Sequence, residues 1–139
     1  MLARKLGEIA VFNQGGNMIA LKFGGTSMAN ARRILASSEI IINRAKEDRI
    51  SVIVSAVAGV SNTLQSAIDA TTSGITGANY VTELRNIHNE ICLELHSKLS
   101  GFDAEKTMSK IEPNFVELEK LLAGCVSFGE CPDTVHCRI

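Results

Sequence analysis

The stretch of this chain best suited to chemistry is a lysine followed closely by two glycines and two hydroxyl residues. It reads Lys22-Phe23-Gly24-Gly25-Thr26-Ser27. Glycines let backbone N–H groups approach a phosphate without interference from a Cβ atom, and a lysine ammonium gives phosphoryl oxygens a compact positive charge. The two hydroxyl residues could cap the next helix or donate to an anion. The order of residues differs from the common G-x-x-x-x-G-K-[ST] and G-x-G-x-x-G loops, so an ordinary strand–turn–helix corner is the alternative.

A second loop of small and hydroxyl residues occurs about thirty positions later. It reads Ser55-Ala56-Val57-Ala58-Gly59-Val60-Ser61-Asn62. Ser55, Ser61 and Asn62 could hydrogen-bond to a polar substrate. For Ser61 and Asn62, simple capping of the following helix is an equally good interpretation, because both residue types favour that position.

The elements around these loops predict a βαβ unit. Met18 opens a short apolar strand that ends at the glycines, and residues 50–55 form a second, β-branched strand. Between them, apolar and small residues recur at helical spacing: Ile34, Leu35, Ser38, Ile41, Ile42 and Ala45. Strands joined by such a crossover helix are parallel. Both loops should therefore lie at the carboxyl edge of one sheet, where open α/β sheets bind ligands.

The second half of the chain is predicted to be helical. One long helix is expected through Val81 to Leu99, followed by helices at about 104–111 and 113–123, with Pro113 opening the last and Gly124 ending it. His88 and His96 lie on the first of these helices, but they are too far apart to bind one metal ion without help, and we assign no metal ligands. The four cysteines form no C-x-x-C pair, and we expect free thiols.

Composition narrows the possible classes of protein. The chain has 139 residues, a net charge of −1 and 45% hydrophobic residues, which together predict one globular domain. A near-neutral charge gives no reason to expect nucleic acid or a membrane surface as a partner. No secretory signal pattern is found. The four cysteines are not those of a cysteine-dense secreted protein, so a reducing cytoplasmic location is expected. Residues 1–17 fit poorly with the strand that begins at Met18 and are interpreted as an extension, disordered or arising from a non-native start, with 18–139 as a truncated domain.

The two loops resemble the start of an aspartate kinase, a member of the amino acid kinase family. The resemblance rests on Lys22 to Ser27 and on Val54-Ser55-Ala56-Val57-Ala58-Gly59-Val60-Ser61-Asn62-Thr63-Leu64, and it extends over about residues 18 to 132. It implies a three-layer α/β/α fold of the amino-acid-kinase (carbamate-kinase-like) type, of which this chain would be the N-terminal part. That part would hold a mainly parallel sheet with a helical excursion. Gly129-Glu130-Cys131-Pro132-Asp133 resembles the aspartokinases that are fused to homoserine dehydrogenase.

The resemblance also implies a site. Lys22, Gly24 and Gly25 would handle the phosphates of ATP, with Lys22 as the catalytic cation and Ser55 lining the site. The residues expected to contact L-aspartate are Thr26, Ser61 and Asn62, with Glu130 as the weakest candidate because its context fits an earlier family motif better. The cofactors would be ATP and Mg²⁺, and the full-length enzyme would be a homo-oligomer.

Other functions stay open from the sequence alone. Further strands and substrate-binding residues of the family are missing, so this chain is expected to be inactive by itself. One alternative is a kinase of the same fold that acts on glutamate or on a nucleotide. Another is a non-catalytic remnant or interaction module that pairs with a partner through an exposed sheet edge.

Overall fold

A computed structural model describes the backbone of residues 9–12 and 18–139, with side chains for 18–139. The chain divides into two compact units, one ending at Gly59 and one beginning at Val60. No helix within residues 18–139 is long and apolar enough to cross a bilayer.

The first unit contains the predicted βαβ unit. Strand β2 (Met18–Phe23) leads into helix α1 (Ala31–Arg44), which returns to strand β3 (Arg49–Val54). Strands β2 and β3 are parallel, with Lys22 opposite Ile53, so the α/β class and the parallel crossover are confirmed.

A further strand, β1 (Ile9–Phe12), pairs antiparallel with the other edge of β2, and the sheet order is β1-β2-β3. The sequence predicted no element before Met18. The remainder of residues 1–17 lies outside the described residues, and its interpretation as an extension stays a prediction.

Buried and exposed residues alternate at the end of β2, and the buried ones contribute to the core of the first unit. Leu21 and Phe23 are buried and pack with Met28 and with α1 residues such as Ile34 and Ile41. The prediction that Ile42 and Ala45 belong to this apolar face is wrong: Ile42 is 58% exposed and Ala45 is the exposed C-cap of α1. One residue after Ile41 is a rotation of about 100° around the helix, which carries Ile42 off the stripe that faces the sheet.

The second unit is a helical assembly. Its helices are α2 (Val60–Thr72), α3 (Ala78–Lys98), α4 (Ala104–Phe128) and the short α5 (Asp133–His136). The core cluster is contributed by the three long helices and consists of Ala67, Ile68, Val81, Leu84, Phe115 and Leu122. At its edge, the Arg85 guanidinium donates to Glu112 and Glu119 and lies 5.2 Å from the centre of the Phe115 ring. The hydrogen bond to Glu112 is the main reason that the pKa of Arg85 is raised above its ordinary value. Arg85 on α3 therefore stays charged and forms ion pairs with two glutamates of α4.

Two predicted boundaries in this unit are wrong. The sequence split residues 104–123 at Pro113, whereas α4 runs unbroken through Pro113 to Phe128. Burial of Phe115, Leu122 and Cys125 along one face supports the continuous helix and offsets the hydrogen bond that proline removes. Gly124 does not end the helix. Gly129 does, with φ +73°, and its N–H donates to the Cys125 carbonyl at 2.9 Å.

The reversal at Gly129 places Cys131 beside Cys125. Burial first, and then the hydrogen bond with Cys125, raises the pKa of the Cys131 thiol from 9.0 to about 11. All four cysteines are free, which confirms the prediction from their spacing.

We expect the Cys131 thiol to make unfolding depend on pH in the alkaline range. The folded-state pKa lies above the unfolded value, so the folded chain holds this proton more tightly. The resulting stability is fully present below pH 9 and is lost as the pH rises from about 9 to 11. Urea unfolding under reducing conditions should show that Cys131→Ala flattens this part of the curve. Cys137→Ala changes an exposed thiol and should leave this pH dependence as it is in the wild type. If the free energy of unfolding depends equally on pH in both variants, Cys131 is not the group responsible.

Candidate functional site

The turn between β2 and α1 carries Gly24 and Gly25, and we call residues 22–27 the glycine corner. Gly24 is extended, with φ −78° and ψ 177°, and Gly25 begins a 3-10 turn that spans Gly25–Met28. The Ser27 N–H closes this turn on the Gly24 carbonyl at 2.9 Å. Neither glycine has a positive φ. The backbone conformation therefore gives no reason for glycine at either position.

The space beside Gly24 is open, whereas Gly25 lies against the second loop. A Cβ built on Gly24 would meet nothing within 4 Å. One built on Gly25 would lie 3.7 Å from the Ala58 Cα and 3.8 Å from the Ser55 Oγ, which are ordinary contacts. Packing thus does not demand glycine here. Bare backbone with free space beside it is what a phosphate needs for close approach to N–H groups.

The same distances show that the two loops of the first unit meet. The Ser55 N–H donates to the Phe23 carbonyl at 2.9 Å, which aligns the ends of β3 and β2. As a result Ser55 and Ala58 border the Gly25 turn. The predicted proximity of Ser55 to the glycine corner is therefore observed.

Lys22 is the cation of this corner. It is exposed between two buried neighbours, Leu21 and Phe23. Side chains alternate across a strand, so Lys22 lies on the face opposite the one that packs against α1. Among the residues with described side chains, no carboxylate forms an ion pair with Lys22. Its ammonium is free to meet an anion.

The two hydroxyl residues have different surroundings from those expected. Asn30 caps α1, accepting from the Arg33 N–H at 3.0 Å, so the interpretation of Thr26 and Ser27 as caps is wrong. The 3-10 turn intervenes and displaces them from the helix start. Ser27 is buried, and its carbonyl accepts from the Ser37 Oγ at 3.3 Å, which makes it structural. Thr26 is exposed beside the corner and available to a ligand.

The remaining predicted residues belong to the second unit. Ser61 and Asn62 are exposed in the first turn of α2, inside the helix and not at its cap. Their side chains take part in none of the hydrogen bonds found in residues 18–139. Glu130 is exposed directly after Gly129. That these three residues join Lys22 in one site stays a prediction.

The donor set of the glycine corner suits a phosphate better than a metal ion. It offers backbone N–H groups, hydroxyls and one ammonium. Within the described part of the chain, no group of three or more His, Cys, Asp or Glu side chains could hold a metal. The histidines are engaged locally instead: the His88 Nδ1 lies 2.7 Å from the Leu84 carbonyl and the His96 Nδ1 2.5 Å from the Phe102 carbonyl. The described residues of the glycine corner therefore do not fit Mg²⁺ as direct ligands.

A cavity of about 480 Å³ lies within the second unit. Its walls are largely apolar and include Leu64, Leu84, Phe115 and Leu118, with His88 among the polar residues. The sequence carries no local signal for this cavity, because the lining residues come from separate helices that no motif connects.

Comparison with known proteins decides the relationship of the chain. No protein-family model matches it. A bifunctional aspartokinase/homoserine dehydrogenase of Buchnera aphidicola is 32% identical over 126 residues, which cover 88% of this chain. The chain is homologous to aspartokinases. Aspartokinase 1 of Arabidopsis thaliana, a chloroplastic protein, is 28% identical over 148 residues and 94% of the chain, and an aspartokinase of Rickettsia felis is 42% identical over 71 residues and 50% of it.

These aspartokinases are much longer than the chain. It spans 15% of the length of the Buchnera and Rickettsia proteins and 24% of the Arabidopsis protein. The matches confirm the resemblance drawn from the two loops, including the likeness to aspartokinases fused to homoserine dehydrogenase.

Proposed function

We propose that this chain forms the phosphate-handling part of an aspartokinase. In the complete reaction, an oxygen of the L-aspartate β-carboxylate attacks the γ-phosphorus of ATP. The bond from that phosphorus to the bridging oxygen breaks, and 4-phospho-L-aspartate and ADP result. The observation that carries the proposal is the exposed Lys22 at the end of β2, which forms no ion pair within residues 18–139. Two glycines follow it, and the space beside Gly24 is open. It stands in a chain that is homologous to aspartokinases.

Each residue of the corner has a role in this proposal. Lys22 offsets negative charge on the phosphoryl group during transfer. The Gly24 and Gly25 N–H groups bind phosphate oxygens, and Ser55 borders them.

The amino acid is bound by other side chains. Ser61 and Asn62 orient L-aspartate, Thr26 contacts it from the corner, and Glu130 is the weakest candidate. The free side chains of Ser61 and Asn62 support this assignment, because they are not consumed by helix capping.

The corner alone does not make a complete active site. Phosphoryl transfer requires an in-line nucleophile and charge stabilisation held together around the γ-phosphate. The described residues offer one free lysine and bare amides, but no cluster suited to a metal ion. Since the chain spans 15% of the Buchnera relative, we propose that the remaining groups belong to further polypeptide.

Turnover should appear only when that further polypeptide is supplied. We expect the purified 139-residue chain to release no ADP that depends on aspartate. A chimera in which this chain replaces the matched segment of the Buchnera relative should release ADP and form acyl phosphate, trapped as the hydroxamate. The assay should include glutamate and UMP, which test for an acidic amino acid or nucleotide kinase of the same fold.

Two results would contradict the proposal. One is a chimera that folds and binds ATP but phosphorylates glutamate or UMP in preference to aspartate. The other is a folded chimera without any kinase activity while the unaltered relative is active in the same assay. Turnover by the isolated chain would contradict the claim that the site is incomplete.

A further inference from the structure

A buried serine of α1 forms a hydrogen bond outside its own helix. Ser37 is 3% exposed, and its Oγ donates to the Ser27 carbonyl at 3.3 Å, ten positions earlier in the sequence. Burying a hydroxyl costs free energy unless it finds a partner, and alanine would favour the helix more than serine does. The bond to the glycine corner therefore explains a serine at this position better than the helix does.

The acceptor of Ser37 is not the usual one for a serine inside a helix. Such hydroxyls commonly donate to the carbonyl three or four residues back, and several helical hydroxyls of the second unit do so. The neighbouring Ser38 follows the same pattern and donates to the Ile34 carbonyl at 2.9 Å. Ser37 instead holds the turn that precedes α1.

Ser27 is held at both of its backbone groups. Its carbonyl accepts from the Ser37 Oγ, and its N–H donates to the Gly24 carbonyl at 2.9 Å. The Gly24 carbonyl and the Gly25 N–H belong to one planar peptide unit, in which they point in opposite directions. Two consecutive hydrogen bonds thus join α1 to the peptide unit that carries the Gly25 N–H.

The two glycines give this connection its importance. Glycine adopts more backbone conformations than any other residue, and a Cβ at Gly24 would meet nothing within 4 Å. Neighbouring atoms therefore restrict the Gly24–Gly25 peptide plane little on the Gly24 side. A donor that is already oriented binds an anion more tightly than one that must first be ordered.

The Gly25 N–H is available to a ligand. None of the turn and loop hydrogen bonds between backbone groups of residues 18–139 uses it. The bonds through Ser27 therefore fix the direction of a donor that has no backbone partner in these turns and loops.

We infer that Ser37 is a positioning residue of the glycine corner, which acts through Ser27 and Gly24 to keep the Gly25 N–H directed at a phosphate of ATP. The inference rests on the proposed function, which assigns that N–H to phosphate. It adds a residue that lies outside both sequence motifs. The bonds that carry it lie entirely within residues 24–37 of the first unit.

The test compares Ser37→Ala and Ser37→Cys in the aspartokinase chimera. Both variants lose the hydroxyl donor, and the thiol is a weak donor that still fills the site, so an effect common to both is not due to a cavity. The dissociation constant and the KM for ATP should each rise about tenfold, as expected when one hydrogen bond to a charged group is weakened. The kcat should change by less than about twofold, because the N–H binds phosphate in the ground state as well as in the transition state.

Ser38→Ala is the matched control. It removes a hydroxyl that bonds only within α1, so the KM for ATP should stay at the wild-type value. Thermal unfolding verifies that each variant is folded at the assay temperature. A purely structural role of Ser37 would lower the unfolding midpoint without changing the affinity for ATP.

Amide hydrogen exchange in the 139-residue chain tests the turn without any kinase activity. In Ser37→Ala, the Ser27 N–H should exchange about tenfold faster than in the wild type, because the turn opens locally more often. The amides of β2 should keep their protection. Ser38→Ala should leave the exchange of the Ser27 N–H unchanged.

Three outcomes would overturn the inference. They are a wild-type affinity for ATP in both Ser37 variants, an equal loss of affinity in Ser38→Ala, and unchanged exchange of the Ser27 N–H in Ser37→Ala. Failure of the proposed function gives a different result. A chimera that binds ATP without phosphorylating aspartate would contradict the kinase assignment, and weaker ATP binding by its Ser37 variants would still support the inference.

Discussion

Replacing Lys22 by alanine in the aspartokinase chimera is expected to lower kcat by about 10²–10³-fold, the usual cost of removing one preorganised electrostatic contact from a transition state. The Lys22 side chain is exposed and forms no ion pair within residues 18–139, so its loss should break no ion pair among them. The buried neighbours Leu21 and Phe23 provide the packing of β2. Stability should therefore change little, by about 0.5 kcal/mol or less, as for other exposed substitutions.

The matched control for this substitution is Lys46→Ala. Lys46 is also exposed, and its ammonium donates to the Asn43 Oδ1 at 3.1 Å near the end of α1. Its loss should leave kcat and the unfolding midpoint unchanged. Steady-state kinetics with varied ATP and aspartate, together with thermal unfolding, test both variants. Unchanged turnover in Lys22→Ala, or an equal loss in Lys46→Ala, would remove Lys22 from the phosphate role.

The glycine corner could be predicted because its signals are local. They are the apolar run that starts at Met18, the lysine that follows it and the two glycines that end the strand. The structure adds that Leu21 and Phe23 are buried and Lys22 between them is exposed. Helical spacing after Asn30 and the β-branched run of β3 then indicated the parallel βαβ unit. The same topology explains why Ser55 reached Gly25: both follow the carboxyl ends of neighbouring strands.

Features that depend on tertiary contacts could not be predicted in this way. Pro113 is a strong local signal for a boundary, yet the burial of Phe115 and Leu122 outweighs it and α4 continues. Gly124 and Gly129 are equally good C-caps by residue type, and only the chain reversal selects Gly129. The role of Asn30 as the cap of α1 required knowledge of the 3-10 turn.

Gly77 and the Leu122 side chain pack closely in the second unit. Gly77 is buried at the N-cap of α3, and Leu122 is 1% exposed on α4. A Cβ on Gly77 would lie 2.7 Å from the Leu122 Cδ1 and 3.1 Å from its Cβ. The φ of Gly77 is −78°, a value that any residue can adopt, so the backbone conformation does not explain the glycine. The close Leu122 side chain is what favours glycine at this position. The glycine corner of β2 shows the opposite case, with open space at Gly24.

Leu122→Ala is expected to lower the free energy of unfolding by about 2–5 kcal/mol, through lost burial and the cavity left behind. Gly77→Ala should cost about 1–3 kcal/mol through overpacking. Because Leu122→Ala removes the atom that the new Cβ would meet most closely, the double variant should lose less than the sum. A coupling of about 0.5–3 kcal/mol is expected for residues in such contact.

The fluorescence of Tyr80 makes this cycle measurable in the second unit alone. The chain has one tyrosine and no tryptophan, and Tyr80 packs against the core cluster that contains Leu122. Urea unfolding followed at this residue gives the four free energies. Leu93→Ala, at a leucine 54% exposed on α3, and Gly124→Ala, where a Cβ meets nothing within 4 Å, are the controls. Leu93→Ala should leave the free energy of unfolding close to that of the wild type. Gly124→Ala should leave it unchanged or raise it by up to about 1 kcal/mol. Strict additivity of Gly77→Ala and Leu122→Ala would show that the start of α3 and the Leu122 side chain of α4 do not meet, and the close packing at Gly77 would be wrong.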